Sequence, residues 1–141
     1  MKRILLAIAL VLAMAIPAFA QNGPLRIKPL MAYTFNGSGS TTAWFIVGEA
    51  ITVRTNWEVK GTGTFKAKLE VRNSAGVLIG RSATIPIDVD SPTFTRHVGD
   101  FYPTPGVLKE AKYYTLKIVY VDVATGNTWS HQTKIYVAAP D

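Results

Sequence analysis

The segment Ile51-Thr52-Val53-Arg54-Thr55-Asn56-Trp57-Glu58-Val59-Lys60 constrains the fold more than any other part of this 141-residue chain. Odd positions carry Ile51, Val53, Thr55, Trp57 and Val59, while even positions carry Thr52, Arg54, Asn56, Glu58 and Lys60. A helix would scatter the apolar groups around its circumference, whereas an extended strand puts them on one face. The segment therefore reads as a strand with one buried and one wet side. Gly61-Thr62-Gly63 turns the chain. Residues 64–72 then repeat the pattern, with Phe65, Ala67, Leu69 and Val71 inward and Lys66, Lys68, Glu70 and Arg72 outward.

The same period runs through the rest. Residues 25–35 form a first strand region, in which Pro29 marks an edge or a bend. A loop of small polar residues, 36–42, leads to a short apolar run, 43–47, suited to a sheet edge. Asn73-Ser74-Ala75-Gly76 turns into a strand beginning at Val77. Ile85, Ile87 and Val89 alternate with Pro86, Asp88 and Asp90 as an edge strand, which Ser91-Pro92 breaks before a further strand over 93–98. Residues 100–106 contain Pro103 and Pro105 and read as loop. Residues 113–121 and 128–137 form a last hairpin, with Gly126 and Asn127 in its turn. Seven or eight short strands at this spacing predict an all-β antiparallel sandwich, two sheets packed apolar face to apolar face.

The N-terminus predicts where the chain works. Lys2 and Arg3 precede an uninterrupted apolar run from Ile4 to Ile16, then Pro17 and Ala18-Phe19-Ala20. This is the pattern of a cleavable secretory signal over residues 1–20, which puts the mature start near Gln21 and the protein in the periplasm or outside the cell. The apolar run falls short of the roughly 20 residues a bilayer span takes. No membrane span is expected after cleavage. The remainder suits one domain, with 21–47 supplying its first strand region and 48–141 the rest. The chain has no cysteine, which removes disulfides, thiolate zinc sites and a lipid-bearing cysteine. The full net charge of +6 falls to +4 once Lys2 and Arg3 are gone. That surplus attracts anionic surfaces weakly but lacks the dense basic patch of a nucleic-acid binder. Anionic glycans, lipopolysaccharide or an acidic protein of the cell envelope suit it better; the alternative is a merely solvated surface.

Leu108-Lys109-Glu110-Ala111-Lys112-Tyr113-Tyr114-Thr115-Leu116-Lys117-Ile118 resembles the corner before the penultimate strand of fibronectin type III and bacterial immunoglobulin-like domains. There a Leu precedes a Tyr by six positions, as Leu108 precedes Tyr114, and the Tyr hydroxyl bonds back to the loop backbone. Trp57 looks like the buried tryptophan of such sandwiches. The resemblance covers roughly residues 48–137 and implies an immunoglobulin-like fold. That fold serves adhesion, carbohydrate binding, chaperoning and spacing alike.

Chemistry is sparse. Ser91, His97 and Asp100 are near one another in sequence, but no nucleophile elbow surrounds any serine, and His131 stands apart. No catalytic residue and no cofactor is expected. Asp88 and Asp90 share a strand face and, with Asp100, are the weak candidates for calcium; a charged strand edge accounts for them equally. Glu49, Glu58, Glu70 and Glu110 are scattered, and cross-strand ion pairs explain Glu58 and Glu70. The aromatic residues carry the functional reading. Trp44, Tyr102 and Trp129 fall at loop ends, and Tyr136 on the polar face of the last strand. Such rings stack on sugars or anchor a protein, or else close the ends of the core. Arg54, Lys60, Lys66, Lys68 and Arg72 make a candidate basic sheet face. The expectation is a non-enzymatic binding or structural module. The alternatives are a carbohydrate-binding accessory domain and a subunit of an extracellular or envelope assembly, in which exposed edges and the stretch Gln21–Lys28 pair with another subunit by strand addition.

Overall fold

The computed structural model describes residues 22–104 and 106–140; the signal peptide predicted over residues 1–20 and Gln21 lie outside the described residues. Seven strands follow in order: β1 (Arg26–Asn36), β2 (Trp44–Ile46), β3 (Ile51–Asn73), β4 (Leu78–Arg81), β5 (Ile85–Phe101), β6 (Lys112–Asp122) and β7 (Thr128–Ala138). They form an immunoglobulin-like β-sandwich, all-β among the described residues.

Two strands are far longer than the sequence predicts. Gly61-Thr62-Gly63 does not end a strand, because β3 runs through it for 23 residues. Ser91-Pro92 likewise fails to break β5, which runs for 17. Both segments are corners at which a strand passes from one layer to the other, a device that bulges and glycines permit. They face each other, since Gly61 lies opposite Ser91 and the register slips between Val59 and Gly61.

The first layer holds β1, residues 51–60 of β3 and residues 95–101 of β5. The second runs β2-β7-β6 and on to residues 65–73 of β3, with β4 and the start of β5 beyond. β2 joins β7 in parallel, so β1 and β2, neighbours in sequence, belong to opposite layers and close the sandwich. The apolar period now has its cause. Val53, Val59, Phe65, Ala67, Leu69, Val71, Leu116 and Ile118 are all buried between the layers, each contributing about 1–3 kcal/mol by leaving water. Trp57 of the first layer is 4% exposed and sits 5.6 Å from the Tyr120 ring of the second and edge-on to Phe65 at 6.3 Å.

The corner before β6 is present. The Tyr114 hydroxyl donates to the Glu110 carbonyl oxygen at 2.8 Å, and Leu108 packs against the core. Such a bond is worth about 1 kcal/mol net and fixes how the loop enters the strand.

One polar cluster lies between the layers. Thr55 Oγ1 and the Tyr120 hydroxyl are 2.6 Å apart, and His131 Nε2 bonds to Thr55 Oγ1 and lies 3.1 Å from the Tyr120 hydroxyl. Burial pushes the Tyr120 pKa up and the His131 pKa below its usual 6.5. A depressed histidine favours the neutral ring in the folded state, so its contribution is complete above the unfolded value and is lost as pH falls through the folded one. Urea unfolding should give a flat stability above about pH 6.5 that declines below it. His131→Gln should flatten that decline before the carboxylates titrate. An unchanged slope in the variant would assign the decline elsewhere.

Candidate ligand-binding face

Alternation sorts the side chains of β6 and β7 onto two faces. Tyr114, Leu116 and Ile118 of β6 point into the core, as do Ile135 and Val137 of β7. The opposite parity, which holds Tyr113, Thr115, Lys117, Lys134 and Tyr136, faces outward. Register then builds a row. Tyr113 pairs with Tyr136 across β6 and β7, and Tyr136 pairs with Trp44 across β7 and β2. Phe45 fills the core, so its neighbour Trp44 points out. Three aromatic side chains therefore stand on adjacent strands, about 4.8 Å apart, on one outer face. The Tyr113 and Tyr136 rings lie 4.8 Å centroid to centroid, tilted by 52°. Trp44 and Tyr113 are 55% and 57% exposed, an unusual level for large rings on a sheet.

Below the row the same face is basic. Lys66, Lys68 and Arg72 project from β3, Lys117 from β6 and Lys134 from β7. Arg81 of β4 lies opposite Glu70 on the same side. Glu70, 8% exposed, accepts from Arg72 at 3.1 Å and lies 3.9 Å from Lys68. The charges are thus held around one central carboxylate.

The five cations assigned to one face by sequence do not share it. Arg54 and Lys60 precede the β3 corner and belong to the outer face of the first layer. There Arg54 makes a two-pronged pair with Asp100, at 2.8 and 3.1 Å, which holds the Asp100 carboxyl below its ordinary range. Arg54 also covers the Phe35 ring at 4.7 Å, and Lys60 approaches Phe94.

The three predicted contact aromatics are separated too. Trp129 faces inward, half-buried against the core, and fills an end of the sandwich. It precedes Tyr136 on β7 by seven residues, about 23 Å of strand. Tyr102 sits on a cleft of about 450 Å³ framed by Gly48, Glu49, Ile51 and Leu108, outside the three strands that carry the aromatic row. Tyr113, Lys117, Lys134 and Arg81 were not singled out by sequence. Pairing β6 with β7 residue by residue across their turn is the signal that would have found Tyr113.

Ser91 bonds to the Thr93 carbonyl and to Thr95, His97 stacks on Trp57 at 6.0 Å, and Asp100 is held by Arg54. These three do not meet. Asp88 accepts from Thr64 at 2.7 Å and Asp90 from Thr62 at 3.1 Å. No three acidic or histidine side chains among the described residues converge on a point. In the N-terminal stretch, Arg26–Lys28 pair with Glu58–Lys60 and Leu25 and Ile27 are buried, so this segment is a strand at the edge of the first layer.

No family model matches the chain, and no curated protein matches it. Solved structures give remote likenesses. Bacteroides uniformis beta-glucuronidase 2 aligns with 76% of this chain at 15% identity and a TM-score of 0.47. The CARDB domain of a Pyrococcus furiosus protein aligns with 82% at 10% identity and a TM-score of 0.44, covering 96% of that domain. A putative beta-galactosidase from Bacteroides fragilis aligns with 72% at 8% identity, also with a TM-score of 0.44. The chain spans 13% of the glucuronidase.

Proposed function

We propose that this chain is an exported, non-enzymatic binding module of the cell envelope whose ligand, a glycan, lies on the outer face of the second layer. The row Trp44-Tyr136-Tyr113 carries the reading. Flat aromatic faces bind the apolar faces of sugar rings, and large rings dominate binding where they form a fixed platform. Here the platform is rigid, because each ring stands on a paired strand whose next residue is in the core. The composition of residues 1–20 supports export, and the scattering of Ser91, His97 and Asp100 supports binding rather than catalysis.

Trp44→Ala and Tyr136→Ala should each weaken retention by polysaccharides at least tenfold, as loss of a central aromatic anchor does. Trp44→Ala should leave stability within about 0.5 kcal/mol of the wild type, since its side chain is largely in solvent. Affinity electrophoresis through a panel of neutral and acidic polysaccharides measures the first, and urea unfolding the second. Unchanged mobility of both variants in every gel would remove the row from function.

A further inference from the structure

Resting on that reading, we infer that the glycan is an acidic one, a linear polymer of uronic acids, and that Lys134 and Lys117 bind its carboxylates while the aromatic row holds its rings. The charge distribution carries this. The face bears Lys66, Lys68, Arg72, Arg81, Lys117 and Lys134 against Glu70, with Asp88 on its lower rim. That difference equals the whole surplus of residues 21–141, so the rest of the domain is neutral in sum. A surface charged only for solubility would spread its net charge over both layers.

The placement fits a polymer lying across the strands. One pleat repeat below the aromatic row, about 7 Å along the strands, Thr115 lies between Lys134 on β7 and Arg72 on β3. The next row holds Lys117 beside Glu70. A chain whose rings stack on Tyr113, Tyr136 and Trp44 presents its edge carboxylates to these rows. Lys117 and Lys134 enter no ion pair among the described residues, so their charge is available, whereas Arg72 is committed to Glu70. Other polyanions fit less well. An acidic protein would need apolar pockets for its anchors, and outside the row the face offers only separate apolar side chains, Ile46 on β2, Leu78 on β4 and half-buried Val119 and Val121 on β6. Single-stranded nucleic acid also stacks its bases on aromatic side chains, but an exported protein, as residues 1–20 suggest, would not meet it.

The experiment is affinity electrophoresis of the purified protein in gels holding polygalacturonate, alginate, or methyl-esterified polygalacturonate, which keeps the backbone and loses the charge. The expected result is retention by the two acidic polymers, at least tenfold stronger than by the ester and falling steeply with added salt. The double variant Lys117→Gln/Lys134→Gln should lose about tenfold on the acidic polymers and nothing on the ester. Trp44→Ala should weaken both. Equal retention by acid and ester, indifferent to salt, would overturn the acidic ligand and leave a neutral glycan on the row. Tighter binding of a thymidine oligonucleotide than of either uronate would overturn it in favour of nucleic acid. No retention by any polysaccharide would sink this inference and the proposed function together.

Discussion

Gly61→Ala should cost more than 3 kcal/mol and leave little folded protein at physiological temperature, since an overdetermined backbone strain adds to a direct clash. Gly61 has φ of +101°, and a Cβ there would lie 2.2 Å from the Pro24 carbonyl oxygen and 2.7 Å from its carbon. Those are backbone atoms held in place, because Thr62 N–H donates to the Gly23 carbonyl at 3.0 Å and Leu25 is buried. The substitution must therefore either release the N-terminal segment or straighten the corner. Straightening it would separate Gly61 from Ser91 and pull β3 and β5 out of register. Thermal unfolding followed by circular dichroism decides the matter. A midpoint within a few degrees of wild type would show that the corner tolerates an ordinary side chain.

Trp57→Ala should be the most damaging change in the core, at about 3–5 kcal/mol, which approaches the whole stability of many domains this size. The indole spans the gap between layers. It touches Phe65, Tyr120 and His97, and it lies over Gly99, where a Cβ would come within 3.0 Å of the ring. Truncation leaves a cavity that neither layer can close without bending a corner strand. Trp57→Phe should cost much less. The indole Nε1 is buried without a hydrogen-bond partner among the described residues, so phenylalanine gives up bulk but also sheds an unsatisfied donor. Urea midpoints for the two variants test the ranking. Equal losses would mean that the outer ring of the indole, rather than the volume near its root, holds the layers together.

Local sequence carried much of this architecture. The alternation of residues 51–60 and 64–72 is legible because burial on one face imposes it, and the Leu108–Tyr114 spacing because the corner has a fixed geometry. The pairing was less legible. Arg54, Lys60, Lys66, Lys68 and Arg72 are all at even positions, and parity alone puts them on one face. Parity holds only within a sheet, however. At Gly61–Gly63 the strand changes layers, and the two outer faces of a sandwich point in opposite directions. The aromatic row was hidden for a related reason. Trp44, Tyr113 and Tyr136 are far apart along the chain, and only strand register makes them neighbours. Tyr102 and Trp129 shared a loop-end position with Trp44 but not its outward face, so loop position was a poor guide to the platform.

The corner strands also bear on how the domain reaches its fold. Thr55 bonds to Tyr120, 65 residues away, and β3 alone pairs with β1, β4, β5 and β6. Few of these pairings are local, so large loops must close before burial rewards them, which places such a chain among the slower two-state folders, in milliseconds to seconds rather than microseconds. Because β3 and β5 each belong to both layers, neither sheet can form its hydrogen bonds fully while the other is absent. The two halves of the sandwich are thus joined by two continuous strands, which couples the loss of one sheet to the loss of the other.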